Sequence, residues 1–227
     1  MKHSKINIIL RTSLVILLFT FALKAEAQKK VEFGLRYMPT VSSFEMKTSS
    51  GGTVKGQATL GYGVGAFLGF NFTDHVGIQG EIIYSSISQK YKEMDVEREI
   101  NLKYINIPLL FSLNSGKSNP VNLNIVAGPQ IGLSVGSSVN STGGNGTYTS
   151  QAVLSIKKSD IGVAYGAGID FGLNEALTFR LGLGFRGVLG LIDISDNNKT
   201  AVKDTYYVID QTKIKTYSGY LGISFLF

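Results

Sequence analysis

Leu60-Gly61-Tyr62-Gly63-Val64-Gly65-Ala66-Phe67-Leu68-Gly69-Phe70-Asn71-Phe72 alternates between two kinds of residue. Leu60, Tyr62, Val64, Ala66, Leu68, Phe70 and Phe72 form one series, and Gly61, Gly63, Gly65, Phe67, Gly69 and Asn71 the other. Successive side chains of a β-strand point to opposite faces, so the stretch predicts a strand with one bulky apolar face and one nearly bare face. A soluble sandwich would bury its apolar face and offer polar groups to water on the other. Glycine is a poor covering for a solvated face. It suits the crowded interior of a narrow barrel whose bulky face meets lipid. A large soluble ligand-binding barrel is the alternative architecture.

The same rhythm recurs along the chain. Ile161, Val163, Tyr165, Ala167, Ile169 and Phe171 oppose Gly162, Ala164, Gly166, Gly168, Asp170 and Gly172. Leu177, Phe179, Leu181, Leu183 and Phe185 oppose Thr178, Arg180, Gly182, Gly184 and Arg186. The pattern predicts eight strands near 31–40, 60–72, 76–88, 100–113, 121–136, 161–173, 177–191 and 214–227. Each can cross a bilayer as a tilted strand of about 9–11 residues. The intervening segments then alternate long and short, as in barrels with tight periplasmic turns and long outer loops. Thr73-Asp74-His75, Asn114-Ser115-Gly116 and Asn174-Glu175 carry turn chemistry on the short side. The expected fold is all-β, an eight-stranded antiparallel up-and-down transmembrane barrel in the outer membrane. Its termini would be periplasmic, its long loops extracellular and its apolar face in contact with outer-membrane lipid.

Composition agrees with that class. Of 227 residues, 44% are hydrophobic and only 17% charged, with 27 Gly, 11 Tyr and 13 Phe. Such a chain is neither disordered nor collagenous. The absence of Cys removes disulfides, thiolate metal sites, Cys nucleophiles and a lipidated N-terminal Cys. Residues 1–27 read as a cleaved secretory signal. Lys2 and Lys5 precede the apolar run Leu14–Leu23, and Ala25-Glu26-Ala27 offers small residues at the cleavage positions. Without that segment, 18 basic and 15 acidic residues remain, a net +3 that is no footprint for nucleic acid. Residues 28–227 form the expected barrel domain.

The chain ends Gly219-Tyr220-Leu221-Gly222-Ile223-Ser224-Phe225-Leu226-Phe227. An alternating strand closed by Phe227 looks like the signal read by barrel-assembly machinery. Phe33-Gly34-Leu35-Arg36, Tyr104-Ile105-Asn106-Ile107-Pro108-Leu109-Leu110, Ala127-Gly128-Pro129-Gln130-Ile131-Gly132 and Gly166-Ala167-Gly168 together resemble the PorT-like outer-membrane β-barrel family of Bacteroidota. That resemblance implies an envelope barrel without an assigned reaction. The founding member's link to type IX secretion and gliding does not pass to this chain by fold alone. Pro108 and Pro129 fall inside predicted strands, where each removes a ladder donor, so bulges or breaks in pairing are expected there.

Chemistry-bearing residues are sparse. The mature chain has one histidine, His75, in a predicted periplasmic turn with no second His or Cys to complete a site. Outer-membrane proteases and lipid A acyltransferases or deacylases resemble one another in placing a catalytic His at the extracellular side, which disfavours those activities here. No G-x-S-x-G, P-loop or HExxH occurs. The expectation is no catalytic residue, no cofactor and no metal. Arg36, Glu81, Asp170, Arg180 and Arg186 are inward by parity, which reads as a structural ion-pair network, a transport path or acid–base site being the alternative. An eight-stranded interior is filled by side chains and leaves no general diffusion pore.

Residues 137–160, with Tyr148, and 202–210, with Tyr206 and Tyr207, look like extensions of the last four strands beyond the membrane. Their free edges and Tyr side chains could contact an envelope protein by strand addition. The functional reading is thus a non-enzymatic barrel acting through loops or within an envelope assembly. An enzyme acting on lipid or peptide and a narrow small-solute channel are the alternatives. Mass spectrometry of protein extracted from native membrane should show a mature N-terminus at Gln28; retention of residues 1–27 would make the segment an anchor.

Overall fold

In the computed structural model, residues 30–48, 53–55, 57–93, 96–142, 157–194 and 209–227 are described. The strands are β1 (Val31–Thr48), β2 (Thr53–Lys55), β3 (Gln57–Asn71), β4 (Val76–Glu93), β5 (Val96–Asn114), β6 (Val121–Thr142), β7 (Ser159–Gly172), β8 (Phe179–Gly190) and β9 (Ile209–Leu226). Each of the eight long strands pairs antiparallel with its neighbours, and β1 pairs with β9 to close the sheet. The short β2 continues the line of β3 along β1, with Glu45 opposite Lys55. The chain is a closed eight-stranded antiparallel barrel.

Closure follows from alternation. On β1, Glu32, Gly34, Met38, Thr40 and Ser42 are buried, while Phe33, Leu35, Tyr37 and Val41 are exposed. On β3 the bulky series faces out, and Leu60 is 75% exposed. The exterior is therefore a continuous apolar belt, the inverse of a soluble core. It carries aromatic pairs across strands, including Phe179 with Phe225 at 4.9 Å and Phe185 stacked on Tyr217 at 6.2 Å.

Inside, glycine makes room for the few large side chains. A Cβ on Gly168 or Gly184 would collide with the Tyr220 ring, and one on Gly34 with Phe67. The sheet can bend tightly around Phe67 and Tyr220 because the residues beneath them have no side chain.

Four expectations need correction. The segments 41–59 and 89–99 are mostly strand rather than long loops, since β1 runs to Thr48 and β4 and β5 pair down to Glu93–Val96. Pairing continues above the hydrocarbon because backbone bonds still form there, whereas apolar alternation is no longer required. Extension is likewise not confined to the last four strands: β7 has 14 residues and β8 has 12, against 18 in β1 and β4 and 19 in β5. The strand expected from 177 begins at Phe179, because Asn174 accepts the amides of Thr178 and Phe179 and Leu177 takes φ 53° in the turn.

The prolines break the ladder without shifting register. Between β4 and β5, pairs are absent from Gly80–Leu109 to Ile83–Asn106; between β5 and β6, from Pro108–Gln130 to Phe111–Ala127. Gly128 lets Leu109 carbonyl oxygen approach so closely that a Cβ would collide with it. No bulge forms at either proline.

The belt makes a graded prediction. Ile82, 62% exposed and near mid-height, should lose about 2–4 kcal/mol of folding stability as Ile82→Arg, while Leu60→Arg near the rim should lose about 0–1 kcal/mol. Urea unfolding in lipid vesicles distinguishes the two.

Candidate functional site

Facing the lumen, the side chains stack in layers set by strand register. In the middle layer, Glu81 on β4 is fully buried and accepts from three donors. Arg36 Nη1 on β1 lies 2.5 Å from Glu81 Oε1, and Arg186 on β8 grips the carboxylate with Nη2 at 3.0 Å and Nη1 at 3.2 Å. Gln79 Nε2 donates to the same carboxylate. The Arg36 guanidinium also sits between two rings, 4.1 Å from the Phe67 centroid and 4.8 Å from that of Tyr220. Buried charges persist where partners and hydrogen bonds replace water, and this carboxylate has both.

A second layer closes the barrel at the short-turn end. Lys117, in the 115–120 turn, folds into the lumen and places Nζ 2.7 Å from Glu32 and 3.5 Å from Asp170. Asn122 and Asn124 each donate to Asp170 Oδ2 at 3.0 Å, and Ser224 donates to Glu32 Oε1 at 2.8 Å. Arg180 is fully buried and spends its guanidinium on backbone, donating to the carbonyls of Lys117 at 3.0 Å and Asn119 at 2.9 Å. These bonds hold the turn inside the barrel mouth.

The five inward charges named from parity therefore belong to two separate groups. Arg36, Glu81 and Arg186 meet in the middle layer; Asp170 and Arg180 sit at the short-turn end. Glu32 and Lys117 were missed. Glu32 shares the parity of Arg36, so the signal for it existed, whereas a turn lysine has no periodicity to betray it. His75 is exposed at that same end and contacts the Asn114 carbonyl through Nδ1 at 3.1 Å. Among the described residues, no three His, Cys, Asp or Glu side chains form a set that could hold a metal ion. Phe227 is exposed, and its backbone pairs with Val31 at the closing seam. Tyr148, Tyr206 and Tyr207 lie outside the described residues.

On the long-connection side of the middle layer lies a cavity of about 50 Å³ lined by all eight barrel strands, including Met38, Ser85, Tyr104, Asn106, Asp160 and Arg186. Above it, Ile100, Leu102 and Ile194 are buried.

The sequence profile of the outer membrane protein β-barrel domain matches residues 25–196. No curated protein is similar to the chain in sequence. Among solved structures, the outer membrane protein OprG from Pseudomonas aeruginosa is similar over 88% of this chain and 97% of its own, at 16% identity and TM-score 0.54. Neisserial surface protein A covers 86% and 97% at 12% identity and TM-score 0.43. The outer membrane protease OmpT from Escherichia coli covers 87% and 97% at 8% identity and TM-score 0.34. At these identities the likeness concerns fold alone.

Removing Glu81 alone should be costly, because Arg36 and Arg186 would then share a buried layer with no anion. Glu81→Gln should lower stability by about 3–5 kcal/mol, and Arg186→Gln added to it should restore part of the loss. Urea unfolding of the single and double variants tests that non-additivity.

Proposed function

Since the chain belongs to the outer membrane protein β-barrel domain family, we propose that it is a non-enzymatic, PorT-like barrel of a Bacteroidota outer membrane that works through its long-connection end. In this reading the short turns and both termini are periplasmic, and the long connections face outside. The protein is a subunit of an envelope or secretion assembly, or a stand-alone surface presenting its loops to an envelope partner.

The observation that carries the reading is the double closure of the lumen. The Arg36–Glu81–Arg186 layer and the Lys117-plugged end lie in series, which argues against a conduit and leaves the rim as the surface able to meet a partner. That rim carries tall hairpins, with β4 paired to β5 up to Glu93–Val96 and β5 paired to β6 up to Glu97–Thr142. The outer side of a hairpin is a template for strand addition. The Tyr side chains of 148, 206 and 207 belong to the connections that would complete such a contact. The turn position of His75, at the other end, supports a non-catalytic role.

Affinity purification of the tagged protein from native outer membrane in mild detergent tests this. A stoichiometric envelope partner lost on Tyr206→Ala/Tyr207→Ala is the expected outcome. Planar-bilayer recordings of the wild type should show no resolved steps. Discrete steps would give the narrow-channel reading instead, and lipid A or peptide turnover by the refolded protein would give the enzymatic one.

A further inference from the structure

The lumen's charges balance only across a gap. Among the described inward residues, Arg36, Lys117, Arg180 and Arg186 face four carboxylates, Glu32, Glu81, Asp160 and Asp170. The short-turn layer is neutral, with Lys117 and Arg180 against Glu32 and Asp170. The middle layer carries one surplus positive charge, two arginines against Glu81. Its counterpart is Asp160 on β7, which makes no ion pair with it.

Asp160 and Arg186 line the same cavity. Each has a buried polar atom without a partner there: Asp160 Oδ1, an acceptor, and Arg186 Nε, a donor. Tyr104 hydroxyl is a third such atom in the same lining. Arg186 and Tyr104 are each only 3% exposed. An unmet buried polar group costs about 1–3 kcal/mol, more if charged, so three around one cavity mark a place for something that bonds them. Gly132 keeps the place open. A Cβ there would stand 3.0 Å from Asn106 Oδ1, 3.3 Å from the Tyr104 ring and 3.4 Å from Asp160 Cβ.

We propose that this cavity, where the Asp160 carboxylate and the Arg186 guanidinium share a lining without touching, is a binding site for a small zwitterion of the α-amino-acid class. The ligand's ammonium group bonds Asp160 Oδ1 and Tyr104 hydroxyl, and its carboxylate bonds Arg186 Nε. Its short aliphatic part rests on Met38, Ile83 and Val188, which also line the cavity. A simple cation is disfavoured by the surplus charge of the arginine layer, and a simple anion by Asp160. Size agrees: at roughly 10–15 Å³ per water, 50 Å³ holds about four waters, which at about 30 Å³ each in the liquid fill about 120 Å³, room for a small amino acid. The ionic layer below closes the cavity on the short-turn side.

Saturation-transfer NMR on the refolded mature barrel in micelles, with L-alanine, ethylamine and propionate as probes, tests the assignment. L-Alanine should saturate, with ethylamine and propionate weaker. Asp160→Asn should weaken it about tenfold, the loss of one charge-assisted bond. Gly132→Val, which fills the space between Asn106, Tyr104 and Asp160 while leaving every charge in place, should abolish it. Heat-modifiable electrophoretic migration verifies that each variant is folded, and if one is not, the other decides. Absence of transfer to L-alanine in the wild type overturns the proposal, as does equal binding by a folded variant. Ethylamine binding as tightly as L-alanine overturns the zwitterion assignment.

Discussion

A strand immersed in hydrocarbon has no water to bond its amides, so every N–H and C=O must find a partner in the neighbouring chain. That requirement forces β1 onto β9 and makes the sheet a closed ring. Closure with eight strands makes the lumen narrow, and narrowness dictates composition: Phe67, Tyr220 and the arginines on the axis each have a glycine as a partner across the sheet on at least one side. The bulky outward series and the bare inward one are two consequences of one bonding problem.

The interior is then an electrostatic problem. Glu81, Asp170 and Glu32 cannot reach solvent, so each is surrounded by donors from other strands or, for the last two, from the inserted turn lysine. The bonds bring together residues far apart in sequence, as when Arg186 on β8 reaches Glu81 on β4. The inward Met38, Ile83 and Tyr220 form a small apolar cluster beside this ionic layer. The lumen is thus a polar core within an apolar shell, and its specificity lies in which charge meets which.

Much of this was legible from alternation alone. The two-residue period in Leu60–Phe72 and Ile161–Phe171 separates outward from inward residues, and parity puts Arg36, Glu81, Asp170, Arg180 and Arg186 inside. What parity cannot tell is height. Two inward residues meet only if strand tilt and register bring them level, so the division into two layers was hidden. Lys117 was hidden because turns have no period. The tall rim was hidden because Gln89-Lys90-Tyr91-Lys92-Glu93 is polar on both faces, as any strand above the lipid may be. Asp160 and Tyr104 share the inward parity, but only packing reveals that their polar atoms find no partner.

The interrupted pairing around Pro108 has a mechanical meaning. On both sides of β5 the wall lacks pairs at nearly the same level, and Glu81 itself lies in one of the breaks. There the bonds across the lumen, from Glu81 to β1 and β8, tie the wall together from within. The barrel at that height resembles a wheel whose rim has missing rungs and whose stiffness is carried by its spokes.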